Sequence, residues 1–233
     1  MIRTAPAVLL AIAALAGCSS RGGPAVGEAA ATTPLPVVGS PGFPPTAERA
    51  RAQLAGLEVA WGEHGGTYER SAFGATWSDD TDAPGGHNGC DTRDDVLRRD
   101  LSEQRAGPRD PCVPLSGVLH DPYTGKELRY SYRKASRIRT DHVVALAAAW
   151  RSGAWAWPAG RRLAYANDLD VLVATDEAAN QEKSARTPDR WKPPRREYGC
   201  EYGRRWTGIK DRYRLTVSPP EKAAVEELLS TCP

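Results

Sequence analysis

Thr140-Asp141-His142-Val143-Val144-Ala145-Leu146-Ala147-Ala148-Ala149-Trp150-Arg151-Ser152-Gly153-Ala154, answered downstream by Asn180-Gln181-Glu182-Lys183-Ser184, is the part of this chain on which its fold turns. Ile138 to Val143 has the β-branched character of a short strand, Val144 to Arg151 turns helical, and Asp176 to Ala185 is compatible with a helix. Asp141 and the Asn180 side-chain carbonyl are hard oxygen donors of the kind that suit Mg²⁺ or Mn²⁺. His142 has an ordinary pKa close enough to neutrality to leave most of it uncharged and able to take a proton. Side chains alternate along a strand, so Asp141 and His142 can converge only through strand twist or at the strand's end. Taken singly, an Asp-His pair reads as a surface hydrogen bond and an Asn as a helix cap. The weight lies in the combination.

The elements around this segment follow from local chemistry. Thr46 to Trp61 carries Leu54, Leu57 and Val59 at helical spacing with Thr46 as a cap. Gly62 to Gly89 reads as loop or short strands around Phe73 and Trp77. Asp91 to Leu101 reads as a helix with Val96, Leu97 and Leu101 inward, and Val113 to Leu119 as a strand. Asp121-Pro122-Tyr123-Thr124-Gly125 is a turn, because Pro fixes φ and Gly accepts positive φ. Leu128, Tyr130 and Tyr132 then alternate as in a half-buried strand. Helices are expected at Pro158 to Asn167 and Tyr198 to Tyr213. A last one starts at Ser218-Pro219-Pro220-Glu221, a capping box with Pro just inside, and runs to Cys232. Trp150, Trp155, Trp157 and Trp191 flank the central segment; at this density they read as core rather than as base-stacking surfaces.

The N-terminus has a different composition. Met1-Ile2-Arg3 precedes an apolar run from Ala5 to Ala16 that is short for a bilayer span, ending in Leu15-Ala16-Gly17-Cys18. We read residues 1–17 as a signal peptide of the lipoprotein type, with Cys18 the lipidated residue. Residues 18–46, rich in Pro, Gly, Ala and Thr, read as a flexible linker, and 47–233 as one domain. The expected location is outside the cytoplasmic membrane, lipid-anchored on its outer face or secreted, with that anchor as the sole membrane contact. Four further cysteines in an exported chain imply disulfides; of three possible pairings, Cys90–Cys112 and Cys200–Cys232 each close a local segment. Zinc on these cysteines, with His87 nearby, is the competing reading, and no CxxC pair supports it. Charge is uneven: Lys126 to Arg214 holds 20 Lys and Arg against 11 Asp and Glu, in a chain of net charge +2. A basic half suits a polyanion, as it also suits a plain solvated surface.

The segment Thr140 to Ala154 resembles that of secreted actinobacterial HNH-family (ββα-metal) endonucleases, which are related to the C-terminal nuclease domain of modification-dependent restriction enzymes. Tyr165-Ala166-Asn167-Asp168-Leu169, Asn180 to Ser184 and Trp191-Lys192-Pro193-Pro194 resemble further motifs of that family, as do Tyr68-Glu69-Arg70, Phe73-Gly74, Cys90 to Arg93 and Asp121 to Gly125. The resemblance implies an α+β fold: a ββα-metal finger, a strand pair followed by a helix, embedded in a mainly helical single domain with small β elements and two disulfides. It implies phosphodiester hydrolysis with His142 as general base and one divalent metal on Asp141 and Asn180. Lys183 would contact phosphate or the Asn180 helix, Asn167 would orient the loop or His142, Asp168 would cap it, and Arg93 and Arg70 would contact phosphate. The substrate would be nucleic acid, DNA ahead of RNA. Two departures stand out: the sequence reads Asp170-Val171-Leu172 where many HNH proteins have an Asn before the final helix, so that Asn is missing or replaced by Asp170 or Asn167, and Ala185 lies where the family has Gly.

Of two other functions, one fits part of the chain. A non-catalytic envelope lipoprotein could bind a polyanion through the basic half and would show salt-sensitive binding without turnover. A peptidase or esterase would require a motif such as GxSxG or HExxH, and neither is present.

Overall fold

The computed structural model describes residues 1–2, 39–108, 110–133 and 137–233. The chain divides into two compact units, Met1–Ala31 and Thr32–Pro233, and every element below belongs to the second. The expected signal segment, Cys18 and most of the expected linker lie outside the described residues. The end of that linker does not: Arg204 Nε donates to the Pro45 carbonyl at 2.6 Å, and the Ser40 amide donates to Asp170. Residues 39–46 are thus laid against the domain.

Two small antiparallel sheets and seven α-helices make up the described fold. Helix α1 (Ala47–Gly56) starts at Thr46, whose hydroxyl accepts from the Arg49 amide, and ends before Val59, which bridges to Val217 instead of continuing the helix. Residues 62–89 form no strand; short 3-10 turns occupy Gly65–Thr67 and Arg70–Phe73. Helix α2 (Thr92–Asp100) is capped by the Asp91 carboxylate and buries Val96 and Leu97. It leads directly into β1 (Leu101–Ala106), which pairs with β2 (Pro114–His120), and β2 pairs in turn with β3 (Glu127–Ser131).

The second sheet holds β4 (Ile138–His142) and β5 (Leu172–Asp176), paired antiparallel with Asp141 opposite Val173 and His142 opposite Leu172. Strands β3 and β4, neighbours in sequence, therefore lie in different sheets. Between β4 and β5 the chain inserts α3 (Leu146–Arg151) and α4 (Ala159–Ala166). Directly after β5 comes α5 (Glu177–Lys183), capped by the Asp176 carboxylate, which accepts from the Ala178 and Ala179 amides. Helices α6 (Gly199–Tyr213) and α7 (Pro219–Ser230) pack with α1, and α7 carries the full capping box of Ser218 and Glu221.

The larger core lies among the helices around Trp206, Tyr202 and Tyr165; a smaller one, with Leu97, Leu119, Leu128 and Leu172, fills the space between α2 and the two sheets. Trp150, Trp157 and Trp191 are core residues, while Trp155 is 40% exposed. Disulfides join Cys90 to Cys112 and Cys200 to Cys232, which removes the cysteines from any zinc site. Among the described residues no helix is long and apolar enough to cross a membrane.

Candidate active site

Asp141 and His142 are the last two residues of β4, and both are buried. The Asp141 carboxylate is fixed from two sides. Tyr123 Oη donates to Oδ2 at 2.6 Å, and Lys183 Nζ lies 3.0 Å from Oδ1 and 2.9 Å from Oδ2. Tyr123 reaches this point because the Asp121–Gly125 turn is anchored on β5. The buried Asp121 carboxylate accepts from the Tyr123 and Thr124 amides at 3.4 and 3.0 Å, and from the Thr175 hydroxyl at 2.7 Å. Burial pushes the Asp141 carboxyl up from its usual range, while Lys183 at 2.9 Å and the Tyr123 hydroxyl pull it down.

Lys183 is fully buried, and its ammonium also donates to the His142 carbonyl at 2.8 Å. Lys183, which the resemblance offered as a contact of phosphate or of the Asn180 helix, ties α5 to β4. It also sets the register of Asn180, one helical turn earlier on the same face. The Asn180 amide has no side-chain partner among the described residues.

His142 is held by a single hydrogen bond, from Nε2 to the Ala166 carbonyl at 2.9 Å. A carbonyl can only accept, so Nε2 carries the proton and Nδ1 keeps its lone pair. Burial lowers the imidazole pKa to about 3, with Arg70 and Lys183 acting in the same direction, so the ring is neutral at pH 7. Tyr165 lies parallel to it at 6.5 Å and Trp77 at 6.2 Å.

Asp141, His142 and Asn180 line one cleft of about 620 Å³, together with Arg70, Arg93 and Arg139. The strand's end is what lets neighbouring side chains share it. Arg70 is exposed; Arg93 lies 3.8 Å from Asp94 and Arg139 pairs with Glu177 at 2.5 Å. Arg139 was legible by alternation, being two residues from Asp141 on the same strand face. Tyr123 and Trp77 had no such signal.

Asn167 is buried away from the cleft's centre. Its Oδ1 accepts from the Ser78 amide at 2.9 Å, and its Nδ2 donates to the Leu163 and Ala75 carbonyls at 3.0 and 3.4 Å. It braces the loop that carries Trp77. Asp168 accepts from Tyr213 Oη at 2.7 Å and from the Asp170 amide at 2.8 Å. Asp170 accepts from Arg212 at 2.8 Å and from the Ser40 amide. Ser184 closes α5 with φ 48° and ψ −129°, a conformation suited to glycine.

Among the described residues no group of three or more His, Cys, Asp or Glu could hold a metal ion. The donors that are present do fit a hard cation that keeps most of its water. One lone-pair position remains on Asp141 Oδ1 beside the Lys183 contact, and the Asn180 carbonyl is unpartnered in the same cleft.

A cleft that combines a neutral imidazole, two oxygen donors and a rim of three guanidinium groups belongs to a protein that can work on an anionic ester. Residues 91–224 match the family model described as "GmrSD restriction endonucleases, C-terminal domain", and the chain belongs to that family. A relative from Arthroderma benhamiae, described as "Uncharacterized secreted protein", is 36% identical over 202 residues, covering 86% of this chain and 92% of its own. No solved structure matches the chain.

Proposed function

We propose that this protein is an exported endonuclease that hydrolyses phosphodiester bonds in DNA ahead of RNA, with His142 as general base and one divalent metal on Asp141 and Asn180. The observation that carries this reading is His142. Its Nε2–H is committed to a backbone carbonyl and its ring is kept neutral, in the same cleft as an anchored carboxylate and a free amide. The family match supports a nuclease, and the strand–strand–helix order of β4, β5 and α5 supports a ββα-metal finger.

In this mechanism His142 Nδ1 takes a proton from the attacking water. Arg70 and Arg93 hold the phosphate, and Asn167 keeps the Trp77 loop beside His142 in place. Asp141 and Asn180 hold the cation, with Lys183 and Tyr123 fixing the Asp141 rotamer. Bound there, Mg²⁺ or Mn²⁺ supplies charge neutralisation for the phosphate and the leaving oxygen. Two disulfides and a secreted relative support export. The domain plan is a lipoprotein-type signal peptide over 1–17, a linker from Cys18 to 46 and a nuclease domain over 47–233.

The test is cleavage of plasmid DNA and of RNA by the full chain with Mg²⁺, with Mn²⁺ and with EDTA, beside His142→Ala. Metal-dependent cutting that falls about 100-fold or more in the variant is expected. Folded, disulfide-bonded protein that cuts neither substrate with either metal overturns the reading, in favour of a non-catalytic envelope lipoprotein that binds a polyanion.

A further inference from the structure

Trp77 sits in a backbone conformation that a bulky residue rarely takes, with φ 59°. Strain of this kind persists only where the surroundings over-determine it, and it gathers at ligand sites. Here the loop is fastened on both sides. Asn167 holds the Ser78 amide and the Ala75 carbonyl. From the other side, the Thr92 hydroxyl donates to the Ser78 carbonyl at 2.9 Å and the Thr92 amide to the Trp77 carbonyl at 3.4 Å.

The result is an indole partly seated on the smaller core and otherwise facing the cleft, nearly parallel to the His142 ring, with 13° between the planes. Trp150 and Trp206 spend their N–H groups on His64 and Glu221. The Trp77 N–H has no partner among the described residues. Arg70 and Arg93 line the same cleft.

We infer that Trp77 is a stacking platform for the base of an unpaired nucleotide next to the scissile phosphate, so that the cleft favours single-stranded nucleic acid. This rests on the nuclease reading above. An unpaired nucleotide offers an aromatic face to the indole and a phosphate to the arginines at once, whereas a base inside a duplex has its faces already stacked. The neighbouring His142 ring makes the same wall the place where water is activated, which sets the stacked base beside the bond that breaks.

The test is binding by the full chain in EDTA, which keeps strands intact. The probes are a short fluorescein-labelled oligothymidylate, the same strand with abasic sugars in place of its bases, and a blunt duplex, each followed by anisotropy. Wild type should bind the oligothymidylate more tightly than the abasic strand. Trp77→Ala should weaken oligothymidylate binding about 5- to 100-fold and leave the abasic strand unchanged, and Trp77→Phe should stay within about 3-fold of wild type. Equal binding of the two single strands by wild type overturns the inference without any variant. So does a Trp77→Ala loss that is the same on both strands. Cleavage with Mg²⁺ is measured beside it: base-dependent binding without turnover removes the nuclease reading and leaves the stacking platform standing.

Discussion

The Lys183–Asp141 pair makes the sharpest prediction, because both partners are buried and each leaves a known debt behind when the other is removed. Lys183→Met keeps the length and bulk of the side chain but deletes the ammonium. The Asp141 carboxylate, with 6% side-chain exposure, is then left with Tyr123 alone, and the His142 carbonyl loses its donor. Breaking a buried pair from one side costs about 3–5 kcal/mol. For a domain of this size each kcal/mol moves Tm by roughly 2–4 °C, so a fall of about 6–20 °C is expected. Calorimetry in EDTA keeps any metal out of the measurement. Asp141→Asn combined with Lys183→Met removes the orphaned charge and should recover more than half of the loss. The pH dependence has a definite sign. Without Lys183 the folded-state pKa of Asp141 rises further above its unfolded value, so the folded state binds the extra proton. The deficit is therefore largest at neutral pH and shrinks as pH falls toward that raised pKa. A single-variant loss below about 1 kcal/mol, or a double variant no better than the single, refutes the reasoning.

Four further predictions rest on particular residues. His142 has a folded pKa of about 3 against an ordinary 6.5, so the unfolded chain binds the extra proton: its stabilising contribution is present above pH 6.5 and is lost as pH falls toward 3, by up to about 4 kcal/mol, readable in urea titrations of wild type against His142→Asn. For the same reason the acid limb of kcat/KM should lie well below pH 6, and a limb near 6.5 would mean that His142 is not held in this neutral state. Ser184→Gly relieves a positive φ and should raise stability by about 1 kcal/mol, seen as a higher Tm; a fall would show that the serine side chain contributes more than the strain costs. Replacing both Cys200 and Cys232 by Ser opens a crosslink with a sequence separation of 32 and should cost about 3–4 kcal/mol in denaturant unfolding, whereas a change near zero would mean that the α6–α7 packing alone holds these ends.

Much of this fold could be read from local chemistry. The Thr46 cap, the Ser218 capping box and the Asp121–Gly125 turn each depend on residues within a few positions of one another, and all three are formed. Strand β1 was missed because Leu-Ser-Glu-Gln-Arg-Ala buries only its first residue and has no alternation to read. Strand β5 was missed for the opposite reason: all five residues are buried, so no polar face marks a period of two. The separation of β3 from β4 into different sheets is a matter of long-range pairing, which spacing does not encode. At the site, Asp141, His142, Asn180, Arg70 and Arg93 were named from sequence and share the cleft. The burial of Lys183, the Tyr123 bond to Asp141 and the strained Trp77 loop come from contacts distant in the chain, and only the folded structure brings them into view.

The insertion between β4 and β5 has a consequence for when such a cleft exists at all. Asp141 emerges early, but its pairing strand starts at Leu172 and its lysine is residue 183. A nascent chain that stops before Leu172 has a β4 strand without a partner, and one that stops before Lys183 has a carboxylate with no ammonium beside it. Long-range closure of this kind forms later than local helix. The cleft is therefore complete only once the chain extends through Lys183 and β5 has closed on β4.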